Sequence, residues 1–200
     1  MSELKSQTLD HTQISELVED LVDLIPTISN NANDISATPA LFAGLLAVLA
    51  QNNPAVQECL LNQESNNHFL AHCLQTLVND NASETYKVKC VGAVSSIVRG
   101  YAPALKYLSQ QNGVETLKQC FDAGLQKKED KVVERLAIAV ANVALSFEGI
   151  PVVEKTQVAD LLNHIHDTLI ELNESDSDYH SSALEYIQSN NDIMKHIDNK

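Results

Sequence analysis

Apolar residues recur along this chain at helical spacing, interrupted by short polar breaks. In ISELVEDLVDLI (14–25), Ile14, Leu17, Leu21 and Leu24 share one face while Glu16, Glu19, Asp20 and Asp23 stand mostly outside it, which predicts an amphipathic helix ended or bent by Pro26. SNNANDISATP (29–39) is rich in turn residues, and Ser36 or Thr38 is placed to cap a helix that has Pro39 near its first turn and runs to about Gln51. After Asn52-Asn53-Pro54 come a two-turn helix, AVQECLLN, and a longer one over 67–80. NASET (81–85) supplies the next turn and an Ala/Val-rich helix follows over 87–99, with Gly100 where a left-handed C-terminal residue is expected. APALKYLSQQ, the Asn112-Gly113 turn and VETLKQCFDAGLQ complete a second unit; 127–147 opens a third, with 152–172 packed behind it.

One of these helices occurs three times. LLAVLAQ (45–51), AVSSIVR (93–99) and AVANVAL (139–145) each stand ahead of a polar break and a further apolar helix. With Val48, Ser96 and Asn142 as equivalents, the steps are 48 and 46 residues, close to the period of armadillo and HEAT helical repeats. The expected fold is therefore all-α, an armadillo-like α-solenoid of about three three-helix repeats. Residues 1–38 form an N-terminal helix and linker, 39–172 the repeat domain, and 173–200 a polar linker with a weak terminal helix. A stack of this kind presents one long curved surface and no natural pocket, so the function it predicts is holding another protein.

Composition narrows the partner. With 44% hydrophobic residues the chain can bury a proper core, and with 4% aromatics, no Trp, six Gly and five Pro it lacks the usual materials of a sheet fold. A net charge of −14 repels phosphate backbones, which excludes nucleic acid as the expected partner. MSELKSQTLDHT lacks the layout of a secretory signal and no run of about 18 apolar residues occurs, so no membrane association is expected. Cys59, Cys73, Cys90 and Cys120 are scattered without CxxC spacing and are expected to be buried free thiols, in keeping with a reducing compartment.

The shared surface follows from the wheel. On 87–99, Val88, Val91, Val94 and Val98 line a core stripe, while Lys89, Gly92, Ser96 and Arg99 line another. On 131–146, Leu136, Val140 and Val143 face inward, against Arg135, Ala139, Asn142 and Ser146. The second stripe combines small residues, which let a partner approach the backbone, with polar heads that reach it. Its polar members Lys89, Ser96, Arg99, Arg135 and Asn142 are the candidate partner-binding residues.

The candidate active sites are weaker. His68 and His72 have metal-compatible spacing beside Cys73, but Phe69, Leu70 and Leu74 mark an amphipathic, packed helix, and a third ligand on that face is lacking. His164 and His166 point to widely separated faces. No GxSxG, HExxH or Walker-type loop occurs, so no catalytic residue, metal or cofactor is expected.

VKCVGAVSSIVRGYAPALKYLSQQNGVETLKQCF (88–121) resembles the armadillo-like nucleotide exchange factors of the seventy-kilodalton heat-shock chaperones, both the eukaryotic cytosolic group and its relatives in the endoplasmic reticulum lumen. The similar pattern is an Ala-rich helix carrying AL-S-N-L-x-R, a polar turn, a helix, and a following amphipathic helix. Ser96 stands where Asn is usual and Asn142 restores it in the third unit, and QNNPAVQECLL (51–61) is also similar. The resemblance covers roughly 39–172; the segment that precedes the repeats in cytosolic members is not recognisable here, and no retention tetrapeptide ends the chain. It implies a monomer whose concave face cups one lobe of the chaperone's ATPase domain and promotes ADP release. It also implies a cytoplasmic location, or the endoplasmic reticulum lumen for a fragment lacking its signal. A generic armadillo-type scaffold or assembly adaptor is the alternative, although peptide-groove armadillos usually carry a ladder of Asn and Trp over many repeats.

Overall fold

The computed structural model describes residues 12–13, 16–18, 20, 37–61, 69–145, 152–175, 180–190, 193 and 195. Among them the chain is all-helical, with no strand. The helices are α1 (Ala37–Ala50), α2 (Pro54–Leu61), α3 (Phe69–Leu77), α4 (Glu84–Val98), α5 (Ala102–Gln110), α6 (Gly113–Lys127), α7 (Asp130–Ala144), α8 (Val152–Ser175) and α9 (Ser181–Ser189). Of the helix expected over 14–25, residues 16–18 and 20 are helical, and 12–13 before it are helical too. Leu17, expected on the apolar face, is exposed while its neighbour Val18 is buried, and Ile14, Leu21, Leu24, Pro26 and Ser36 lie outside the described residues. Thr38 is inside α1 and so is not its cap.

Local chemistry sets the boundaries. The Ser83 hydroxyl accepts the Tyr86 N–H at 3.3 Å, capping α4, and Glu84 meets the positive end of the same helix. Asn52 after α1 and Gly100 after α4 both take left-handed backbone, φ 56° and 70°, at places 48 residues apart in the repeat. These are the two residue types that leave a helix this way with least strain.

α4 packs against α1 on one side and α7 on the other, and α9 packs on α7. The Glu84 carboxylate at the start of α4 accepts the Lys131 N–H at the start of α7, 3.1 Å away, and the far ends of α4 and α7 also meet, so the two run in the same direction. α9 follows suit: His180 at its start lies 3.8 Å from Asp130 at the start of α7, and Tyr186 reaches Asn142. α8 packs behind this row, on α7, α5 and α6.

Burial repeats with the sequence. Ala43, Val91 and Ala137 are buried at one register place, Leu46, Val94 and Val140 at a second, and Ala50, Val98 and Ala144 at a third. Leu41, Lys89 and Arg135 are exposed at a fourth. The expected core residues Val91, Val94, Val98, Leu136, Val140 and Val143 are all buried, while Val88 is half-buried.

Behind α7 stands the single helix expected over 152–172, here α8, 24 residues long and in contact with both α5 and α6; the expected count of three helices per repeat does not extend to this part of the chain. α8 runs on to Ser175, past the point where the linker was expected to begin. The terminal helix expected within 173–200 is α9, and Ala183, Leu184 and Ile187 bury it against α7 and α8.

Ties between distant segments fix the helices against one another. Lys87, 2% exposed, points its ammonium at both Glu129 carboxylate oxygens, 2.9 and 3.0 Å away. Asp80, in the turn before α4, pairs with Lys127 at the end of α6. His164 on α8 pairs with Asp122 on α6 at 2.8 Å.

Candidate functional site

Where α1, α4 and α7 approach one another at their C-terminal halves, they leave a notch of about 190 Å³. Ser96, Arg99, Arg135 and Asn142 line it, together with Gln51 and Asn52 from the end of α1. Four of the five candidate residues, taken from two helices, are thus brought together. Gly92 and Ala139, expected on the same stripe, are buried and form the floor. Ser146 lies outside the described residues.

Lys89 is not among the lining residues. It is exposed, and its chain lies across α1, where a Cβ added to Gly44 would stand 3.4 Å from Lys89 Cδ. Arg135 does the same one unit on, with a guanidinium nitrogen 3.5 Å from a Cβ placed on Gly92. Each of α4 and α7 therefore lays a long cation over a glycine of the preceding helix. The small residue keeps the bed shallow, so the charged head stays at the surface with its stem packed.

Gln57 was missed by sequence reasoning, and it shapes the notch from below. Its side chain is 2% exposed, and its amide donates to the Ser96 and Arg99 carbonyls, both at 2.9 Å. Two of the orphan carbonyls at the end of α4 are thereby satisfied from α2. Arg99 then leaves the helix with extended backbone, φ −61° and ψ 119°. The available signal was a polar residue between Val56 and Cys59 in a helix too short to keep any turn free of the core.

Asn142 is engaged within the chain. Its amide donates to the Ile138 carbonyl at 2.9 Å, and its side-chain oxygen accepts the Tyr186 hydroxyl at 2.8 Å. Its head is therefore positioned by α9. Arg99 and Arg135 differ: among the described residues neither guanidinium has an ion pair or hydrogen bond. Two arginines in one notch with no such partner among the described residues stand out in a chain of net charge −14. The arrangement can receive carboxylates or another anion in bidentate fashion.

The other concave places offer less. An apolar void of about 20 Å³, bordered by Val94, Leu108, Leu117, Leu136 and Val158, is too small for a substrate. A depression between the α5–α6 turn and α8 carries Glu115, Lys118 and Asp160, a mixed set with one more acid than base.

His72 faces the Tyr86 hydroxyl at 2.7 Å, burial lowers its pKa, and His68 lies outside the described residues. His166 is buried beside Asp167, away from the partner of His164. Among the described residues no group of three or more His, Cys, Asp or Glu could hold a metal ion, and no helix is long and apolar enough to cross a membrane. The four cysteines are free and buried; burial raises the Cys73 thiol, beside Cys90, and pushes Cys120 up to about 11, which removes thiolate reactivity at neutral pH.

Compared with known proteins, the chain matches no family model, no curated protein and no solved structure.

Proposed function

We propose that the chain is an armadillo-like stack of about three units that acts as a nucleotide exchange factor. It holds the ATPase domain of a seventy-kilodalton heat-shock chaperone and hastens ADP release. The observation that supports a binding role is the notch, lined by two arginines that have no ion pair or hydrogen bond among the described residues, over a floor of small residues. The resemblance of 88–121 supplies the partner class.

The mechanism needs no catalytic side chain. A protein that binds the opened ATPase domain more tightly than the closed one weakens nucleotide binding by the same factor, because linkage is reciprocal. The notch takes carboxylates of the domain, and the neighbouring faces of α1, α4 and α7 define the orientation in which it is held. In this scheme the chain acts as a monomer in the cytoplasm, is not an enzyme, and binds neither nucleotide, nucleic acid nor membrane.

The test is release of fluorescent ADP from purified cytosolic and luminal chaperone ATPase domains, with and without the protein. Acceleration by the unmodified chain is expected, together with its loss in Arg99→Glu/Arg135→Glu while circular dichroism stays unchanged. Release that the unmodified chain never hastens, with any domain, would replace this function with the scaffold reading.

A further inference from the structure

We infer that the partner-binding surface continues onto α1, where Leu41, Leu45 and Val48 form its apolar half. These three side chains are 70%, 45% and 68% exposed. They stand four and three residues apart, so they share one face of the helix. A single exposed aliphatic residue needs no explanation; a contiguous stripe of three does.

Register shows which face this is. Leu41 holds the place of Lys89 and Arg135, and Val48 that of Ser96 and Asn142. The stripe therefore occupies, on α1, the row that carries cations and polar heads on α4 and α7. It is also continuous with the notch, because Gln51 and Asn52 at the end of the same helix form one of its walls.

The occupant is the protein surface that fills the notch, so the inference rests on the proposed function. Its chemistry follows from the two halves. Carboxylates face Arg99 and Arg135, and an apolar ridge lies one to two helix spacings away, about 10–20 Å, to cover Leu41 and Val48. Hydrophobic cover over α1 sets the strength of the complex, while the arginines set its dependence on salt.

The experiment uses the full chain, unmodified and as Leu41→Ser/Val48→Ser, titrated by calorimetry against purified chaperone ATPase domains at two salt concentrations. The double variant is expected to bind at least tenfold more weakly, with the same salt dependence and an unchanged melting temperature. Unchanged affinity would overturn the inference. Two such failures are distinguishable: a melting temperature lowered by several degrees assigns the stripe to the chain's own contacts, and loss of a concentration-dependent dimer in sedimentation assigns it to a second copy. If the unmodified chain binds no domain at all, the proposed function falls and this inference falls with it. Equal binding by the two forms overturns this inference alone.

Discussion

On the inner row, α1 and α4 bury the same side and expose opposite chemistry. Their buried places correspond one for one, Ala43 with Val91, Leu46 with Val94 and Ala50 with Val98. Their outer places read Leu41 and Val48 against Lys89 and Ser96. α7 sides with α4, carrying Arg135 and Asn142. Contact among α1, α4 and α7 constrains the buried side of each helix, and the exposed side is left to vary in chemistry.

The sharpest way to break this comparison is to put the same charge on each side. Val94→Asp should destabilise the chain by about 4 kcal/mol or more, because it strands a carboxylate in the core. Val48→Asp should stay within about 0.5 kcal/mol, as exposed substitutions usually do. Urea denaturation of the two variants measures both, and equal losses would dissolve the distinction between the faces.

The buried side of α4 has one charged exception, Lys87. Glu129→Ala should destabilise by about 3 kcal/mol, since it leaves a buried ammonium without its partner. A joint Lys87→Met/Glu129→Leu replacement should recover most of that loss in the same denaturation experiment. Failure of the recovery would mean that the pair does more than neutralise itself.

A smaller effect distinguishes α7 from α4. Tyr186→Phe removes the hydroxyl bonded to Asn142 and should lower stability by about 1 kcal/mol. Amide exchange should accelerate in α9 and remain as before in α1. An effect that reaches α1 would contradict the local role of α9.

The last separation is by pH. Burial lowers the pKa of His72, and that of His180 against the opposing pull of Asp130 and Glu134. The unfolded chain therefore takes up protons below about 6.5 that the folded chain resists, so stability falls as pH drops through that value. Above it these histidines are neutral in both states and add no slope. Unfolding midpoints at several pH values, with His72→Gln showing a shallower fall, check the sign. The exposed Asp80, whose pKa Lys127 lowers, loses its contribution only at a far more acid pH, as its carboxylate protonates.

Much of this was legible because the sequence repeats. The Val stripe on α4 and its counterpart on α7 are buried as their spacing predicts, and four of the five polar candidates meet in one notch. What escaped depends on contacts between units. Lys89 turns over Gly44 because a glycine of a helix some forty-five residues away leaves room for its stem, which no local pattern encodes. Asn142 looked free because SSALEYIQS is too short for a convincing period, yet Ala183 and Ile187 suffice once α7 and α8 supply a surface. The helix behind α7 is the one the spacing predicts over 152–172, but its reach to both α5 and α6 depends on where those helices stand and is not encoded locally.

The amide of Gln57 makes the end of α4 answerable to the first unit. Cleaving the chain near Asn81 would separate the donor from the Ser96 and Arg99 carbonyls it serves. The last turn of α4 would then fray, and Arg99 would swing on a longer tether. A fragment holding only the later units would keep its helices but blur the spacing of its two arginines. Such a loss would show as faster amide exchange in the last turn of α4 than in its first turns.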